Sequence, residues 1–190
     1  MTDVPFNIQP VLVGEHVMLR PLEAHDFEAL YGVASDPEIW AMHPFPDRHQ
    51  RGVFEAFFAG AMASGGAFAI VDKQSHQIIG STRLANYDAA TSEIEIGWTF
   101  YARSHWRNGT NRAVKAMLLA HIFPHVDMVV FRVGANNFRS RNAVERIGAL
   151  HEEGDRRALH QSGRRGRGVR RRQRQWRDRK LLFAVDMQHD

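Results

Sequence analysis

The chain has 190 residues, 44% of them hydrophobic and 24% charged, and no cysteine. That is enough for one domain with a real core and short for two, and the missing thiols exclude disulfides, thiolate metal sites and cysteine nucleophiles. The net charge of +4 is local in origin: residues 164–179 hold nine arginines and one aspartate, so the rest of the chain is acidic by four charges.

In chain order, "MTDVPFNIQP" lacks a basic segment followed by an apolar run, so a cytoplasmic address is the expectation. "EHVMLRPL" alternates, with Val17 and Leu19 on one face, and predicts a first strand. Asp26 is placed to cap a helix in which Phe27, Leu30, Tyr31 and Ala34 recur at helical spacing. The prolines and aromatics of "DPEIWAMHPFPD" predict an ordered loop with room for a helical turn. A second helix carries Phe54, Phe57, Phe58, Ala61 and Met62 and ends at "SGG".

"AFAIVD" and "QIIGSTRLANYD" around "KQSH" predict an antiparallel hairpin. "SEIEIGWTFYA" predicts the next strand, with Ile94, Ile96 and Trp98 on one face and Glu93, Glu95 and Gly97 on the other. A helix with Val114, Met117, Leu118 and Ile122 follows and stops near Pro124; it is too short and too interrupted, by Lys115 and His121, to span a bilayer. Then come a strand, "MVVFRV", a capped helix closed by Gly148, and a last strand, "KLLFAVDM". Strands and helices alternate in the middle of the chain, so part of the sheet should be parallel in an α/β (α+β) domain covering residues 1–190. Residues 155–179 have no apolar periodicity and read as a basic excursion before the last strand.

The strand, short loop and helix around Gly109 form either an anion site, with helix-start amides aimed at a phosphate, or a plain turn. The spacing fits neither the Walker pattern nor the dinucleotide fingerprint. His121 and His125 stand four apart, but Pro124 disturbs that turn and no carboxylate joins them, so surface histidines rather than a metal site are expected. "GRRGRG" follows no strand and is set aside as a phosphate loop.

The order of two helices, hairpin, "EIGWTFYARSHWRNGTN", strand and "NNFRSRNAVERIGA" resembles the GNAT superfamily of acyl-CoA-dependent N-acetyltransferases, nearest its ribosomal-protein N-terminal (RimJ/RimL-like) branch, over residues 12–154 and again at 178–187. The family's Q/R-x-x-G-x-G/A loop is similar to Trp106, Arg107, Asn108, Gly109, Thr110 and Asn111, of which Gly109 alone keeps the family type. Its N-x-x-S-x-x-x-x-x-x-x-G motif matches Asn137, Ser140 and Gly148.

The resemblance implies a mixed, partly parallel sheet and acetyl-CoA as cosubstrate, without metal. It places the cofactor's diphosphate on residues 106–111 and its pantetheine along the main chain of Phe100, Tyr101 and Ala102, with the thioester near Asn137 and Ser140. Asn137 is otherwise only a helix cap, and Ser140 a solvated first-turn residue. Many relatives carry a tyrosine where Val144 stands, so Ser140 or water would protonate the leaving thiolate. Glu95 is the candidate base for the amine, with Glu93 as substitute; the alternative is a solvated carboxylate or one paired with Arg83.

The implied reaction is direct transfer of acetyl to a primary amine, foremost a protein or peptide α-amine, with a small-molecule amine or lysine as runner-up. Two other readings remain: a non-catalytic acyl-CoA sensor or scaffold, suggested by Arg107, Asn111 and Val144, and an RNA-associated module. The arginine run is an RNA- or ribosome-facing patch, a substrate-steering lip or a local anomaly. No membrane partner is expected, and a homodimer is left open.

Overall fold

Strands β1 (Leu12–Val13) and β2 (Val17–Pro21) open the fold, followed by the helices α1 (Phe27–Ala34), α2 (Pro37–Trp40) and α3 (Arg51–Ala63). Then come β3 (Ala67–Asp72), β4 (Ile78–Asp88), β5 (Glu93–Tyr101), α4 (Thr110–Ile122), β6 (Met128–Gly134), α5 (Phe138–Glu145), β7 (Leu150–His151) and β8 (Lys180–Asp186). The computed structural model describes residues 6–151 and 180–186. The basic excursion at 155–179, with its arginine run at 164–179, lies outside the described residues.

The strands form one eight-stranded sheet in the order β1-β2-β3-β4-β5-β6-β8-β7. The β1 to β5 half is antiparallel, and the pairings β5–β6, β6–β8 and β7–β8 are parallel, as the alternation of strands and helices requires. No described helix is long and apolar enough to cross a membrane.

Each face of the sheet carries its own core. On one face, Val114, Leu118 and Ile122 of α4 and Val144 of α5 pack against Leu19, Phe68, Ile70, Leu84, Ile94, Ile96, Val129 and Phe131. On the other, Leu30, Trp40, Phe54 and Phe58 of the first three helices pack against Ala67, Ala69 and Phe100. Each large side chain so buried contributes about 1.5–3 kcal/mol. The Trp40 indole keeps its N–H satisfied by donating to the Ala34 carbonyl at 2.7 Å. The helices before β3 thus cover one face of the sheet, and the helices after β5 cover the other.

Two local expectations are corrected. Asp26 precedes α1, but its carboxylate does not cap that helix; it accepts from the Glu23 amide at 2.8 Å and from both Arg20 terminal nitrogens at 2.7 Å. Trp98 does not share a face with Ile94 and Ile96. The β4–β5 register slips between Ser81/Phe100 and Arg83/Gly97, so Trp98 and Thr99 together oppose Thr82, and Trp98 takes φ +51°. A bulge of one residue inverts the side-chain alternation beyond it. Trp98 therefore turns to the helix α3 side against Arg83, Phe100 joins the α3 core, and Tyr101 joins the α4 core.

His121 and His125 pack on the Phe6 ring, and the described residues hold no cluster of three or more metal-binding side chains.

Candidate active site

β5 and β6 pair only over Glu93–Glu95 against Met128–Val130. Beyond that point β5 continues to Tyr101 bonded to β4 alone, and β6 continues to Gly134 bonded to β8 alone. The sheet therefore opens into a V between its two central strands, lined by strand edges whose polar groups lack a ladder partner. The Ala102 amide donates back to the Ile79 carbonyl at 2.8 Å on the β4 side. By alternation Tyr101 presents its main chain to the opening, where Trp106 Nε1 donates to its carbonyl at 3.1 Å. Of Phe100, Tyr101 and Ala102, Tyr101 thus turns its main chain to the opening, and the side chains of Phe100 and Tyr101 are buried.

At the mouth of the V the chain makes a 3-10 turn (Arg103–His105) and enters α4. Arg107 has φ +60° and Gly109 φ +91°, two left-handed residues in a loop that turns a strand end into a helix start. Only glycine adopts such a φ without strain. The first bond of α4 runs from the Ala113 amide to the Gly109 carbonyl, so the amides before it have no intrahelical acceptor. Asn108 Oδ1 takes the Thr110 amide at 3.1 Å. The Asn111 side chain turns inward and accepts from the Tyr101 hydroxyl at 3.0 Å. Burial pushes the Tyr101 phenol up, so it remains a neutral donor.

A recess of about 570 Å³ lies beside this loop, lined by Glu38, Arg103, Ser104, Trp106 and Arg107. Arg139, from α5, lays its guanidinium over the Trp106 ring at 3.9 Å. Its pKa is lowered, first by burial and also by the charge of Arg107, with Glu38 opposing. Arg103 reaches Asp36 at 3.5 Å. Free helix-start amides, two repelling arginines and a glycine backbone make this an electropositive site suited to a polyanion.

Glu95 sits at the apex of the V, the last β5 residue paired with β6, and only 4% of it is exposed. It is not solvated, and it is paired as the alternative above has it, but with Arg132 in place of Arg83. Asn86 Nδ2 donates to its Oε2 at 2.7 Å, and the Arg132 guanidinium donates to the same oxygen. Oε1 takes neither bond. It lies over Gly97, where a Cβ would stand 3.3 Å away, so the absent side chain leaves its approach open. Glu93 stands at the strand start opposite Asp88, farther from the opening.

The helix α4 contributes a residue that sequence reasoning missed. Lys115 is 4% exposed, donates to Thr99 Oγ1 at 2.8 Å, and places its amine 5.6 Å from the Phe131 ring centre. It thus touches both limbs of the V, and burial pushes its pKa down to about 7. Its lone polarity on the apolar stripe of α4 is a signal, but that pattern alone does not distinguish it from an interruption at the helix surface.

In the second motif, Asn137 is the N-cap of α5, its Oδ1 accepting from the Ser140 amide at 3.1 Å. Ser140 sits half-buried in the first turn, and Val144 is buried in the core.

The chain belongs to the GNAT acetyltransferase family: the family model described as Acetyltransferase (GNAT) domain matches residues 16–150. No match was found among curated proteins. Of solved structures, the fold is similar to a GCN5-related N-acetyltransferase from Brucella melitensis, at 23% identity and TM-score 0.64 over 80% of this chain and 71% of that one. It is also similar to Mycobacterium smegmatis RimJ in complex with CoA-disulfide, at 22% identity and TM-score 0.58 over 73% and 71%. A Vibrio cholerae structure designated a ribosomal-protein-serine acetyltransferase aligns at 14% identity and TM-score 0.60 over 78% and 87%. Membership in this family makes the protein an acyltransferase.

Proposed function

We propose that the protein moves an acetyl group from acetyl-CoA to a primary amine, foremost the α-amine of a protein or peptide, by direct transfer with both substrates bound. The observation that carries this reading is the alignment of a cationic helix-start recess, an unpaired strand edge and a buried carboxylate along one opening. Acetyl-CoA supplies the activated thioester. The amides of Gly109, Asn111 and Arg112, with Arg107 and Arg139, suit its diphosphate, and the open edge of β5 at Tyr101 suits its amide-bearing arm.

Glu95 holds the base position through its free Oε1, taking the amine proton directly or through a water. Asn86 and Arg132 fix the carboxylate and leave one oxygen for that proton. With Val144 in the core, Ser140 or a water returns a proton to the departing sulfur.

With one carboxylate oxygen in the base position, an acceptor that is easily neutral is favoured. An α-amine with pKa about 8 needs only ~1.4 kcal/mol to lose its proton at pH 7, whereas a lysine near 10.4 needs ~4.6 kcal/mol. Kinship with the RimJ/RimL-like branch agrees with this choice, which rests on the loop and Asn137–Ser140 motifs.

The test is a peptide with a free α-amine and one lysine, incubated with acetyl-CoA and read by fragment mass spectrometry. Acetyl on the α-amine is expected. Acetyl on lysine alone, or preferential modification of small amines, would replace the acceptor assignment. Acetyl-CoA binding without amine-dependent thiol release would leave a sensor.

A further inference from the structure

On the face of the sheet that carries Glu95, a buried arginine and a half-buried one lie together without an acidic partner among the described residues. Arg83, on β4 opposite Gly97, is 8% exposed. Its guanidinium stacks over Trp98 at 4.7 Å and over Phe57 at 5.8 Å, and its Nε is buried with no hydrogen bond. Arg48 comes from the 3-10 turn Pro46–His49 and stacks over the same Phe57 ring at 4.6 Å, over Phe45 at 4.8 Å and over Trp40 at 5.6 Å.

Arg48 makes its one polar side-chain bond to His43 Nε2, at 3.1 Å. Burial pushes that imidazole down to about 4, so it is neutral and accepts. The Arg48 guanidinium is pushed down to about 10, first by burial and then by the charge of Arg83, with its chain neighbour Asp47 opposing. Neither arginine forms an ion pair among the described residues.

Burying one cation without a counter-ion is costly, and setting a second beside it adds repulsion. Stacking on aromatic faces offsets part of this cost but leaves the guanidinium N–H groups, which lie in the ring plane, seeking acceptors. Other arginines in the fold find carboxylates: Arg20 takes Asp26, Arg51 takes Glu28 and Arg132 takes Glu95. The Arg48–Arg83 pair keeps its donors for a group that the described residues do not provide.

Position gives the pair a purpose. Arg83 faces Gly97 across the β4–β5 ladder, and Glu95 is the next residue of β5 on that face, a diagonal neighbour at about 7–8 Å. We propose that Arg48 and Arg83 form an anion subsite of the acceptor pocket, so that the acceptor carries a carboxylate or phosphate close to the amine it presents to Glu95. This rests on the acetyl-transfer reading above. The planar donor forks suit two-oxygen recognition, and the surrounding Trp40, Phe45, Phe57 and Trp98 rings reduce the water that competes for those donors.

The experiment uses matched α-amine acceptors with the full-length protein: Asp-Ala-amide against Asn-Ala-amide, and phosphoserine-Ala-amide against Ser-Ala-amide. Roughly 10- to 100-fold higher kcat/KM is expected for the anionic member of at least one pair, and the pair with the larger ratio identifies the anion. Arg83→Lys and Arg48→Gln should each bring that ratio toward one. Equal rates within both wild-type pairs, or a ratio that survives both substitutions, would overturn the subsite.

A second measurement needs no turnover and no variant that must fold to full activity. Inorganic phosphate titrated into the 15N-labelled wild-type protein should saturably shift the Nε–Hε signals of Arg48 and Arg83, assigned by their loss in Arg48→Lys and Arg83→Lys, whatever the arginines of the helix-start recess do. Should no amine be acetylated at all, the transfer reading falls, and this titration decides the subsite alone: a saturable shift keeps it and an unchanged spectrum removes it.

Discussion

Desolvation disfavours the charged form of the Lys115 amine, which titrates near about 7 instead of its ordinary 10.5. The unfolded chain keeps that proton to much higher pH. Between about pH 7 and pH 10 it therefore binds more protons than the folded protein, and this group makes stability rise with pH across that window. Replacing Lys115 with Met removes the contribution. Urea melts of both proteins at about pH 7 and about pH 9 should differ in slope by roughly 1.4 kcal/mol per pH unit; parallel profiles would mean that the amine is hydrated. Asp26 has the opposite sign. Burial alone would raise its carboxyl, but the bonds from Arg20 and the Glu23 amide outweigh it and hold the pKa below the usual range. Its contribution is complete above the unfolded carboxylate pKa and is lost as acid protonates it. Arg20→Met, which strands the carboxylate, should cost about 3 kcal/mol at neutral pH by chemical denaturation. Glu95→Gln keeps the size of the side chain but removes the proton acceptor, and should lower kcat/KM by about 100-fold or more in thiol release.

At the scale of elements, β5 decides what the site is. Its first half is an ordinary central strand, and its second half, past the bulge, has one partner and an open edge. Gly66 fixes the other end of the same hairpin system. A Cβ there would stand 1.9 Å from the Leu84 carbonyl, and its own carbonyl accepts the Leu84 amide at 2.9 Å. Gly66→Ala should therefore cost roughly 2–3 kcal/mol in thermal or urea unfolding. The strands and helices were readable from the chain because apolar spacing is local: the Phe54–Phe58 stripe and the Ile94–Ile96 alternation need no knowledge of neighbours. The bulge is not readable in the sequence, since it is a matter of how β5 registers on β4, and so alternation alone puts Trp98 on the wrong face. The partner of Glu95 was missed for the same kind of reason. Arg132 lies 37 residues away on a parallel neighbour, and Arg83 was the carboxylate's nearer candidate only in sequence. Gly109, Asn137 and Ser140 were found by resemblance to a family; composition and spacing left the loop as either turn or anion site.

For the whole molecule, the split sheet separates two chemistries. The helix-start recess and its arginines gather positive charge at one end of the opening. Glu95, fixed by Asn86 and Arg132, lies at the apex, on the same face of the sheet as Arg48 and Arg83. A thioester brought in through the first would lie next to an amine brought in beside the second, and proximity of that kind is a main source of rate in group transfer. The account therefore depends on the V holding the cofactor. Calorimetric titration of acetyl-CoA into the full-length protein tests this most directly. Saturable one-to-one binding is predicted, weakened by Gly109→Val, whose branched side chain cannot easily adopt the φ of +91° at the helix start. Absence of binding at millimolar acetyl-CoA, or equal affinity in the variant, would contradict it.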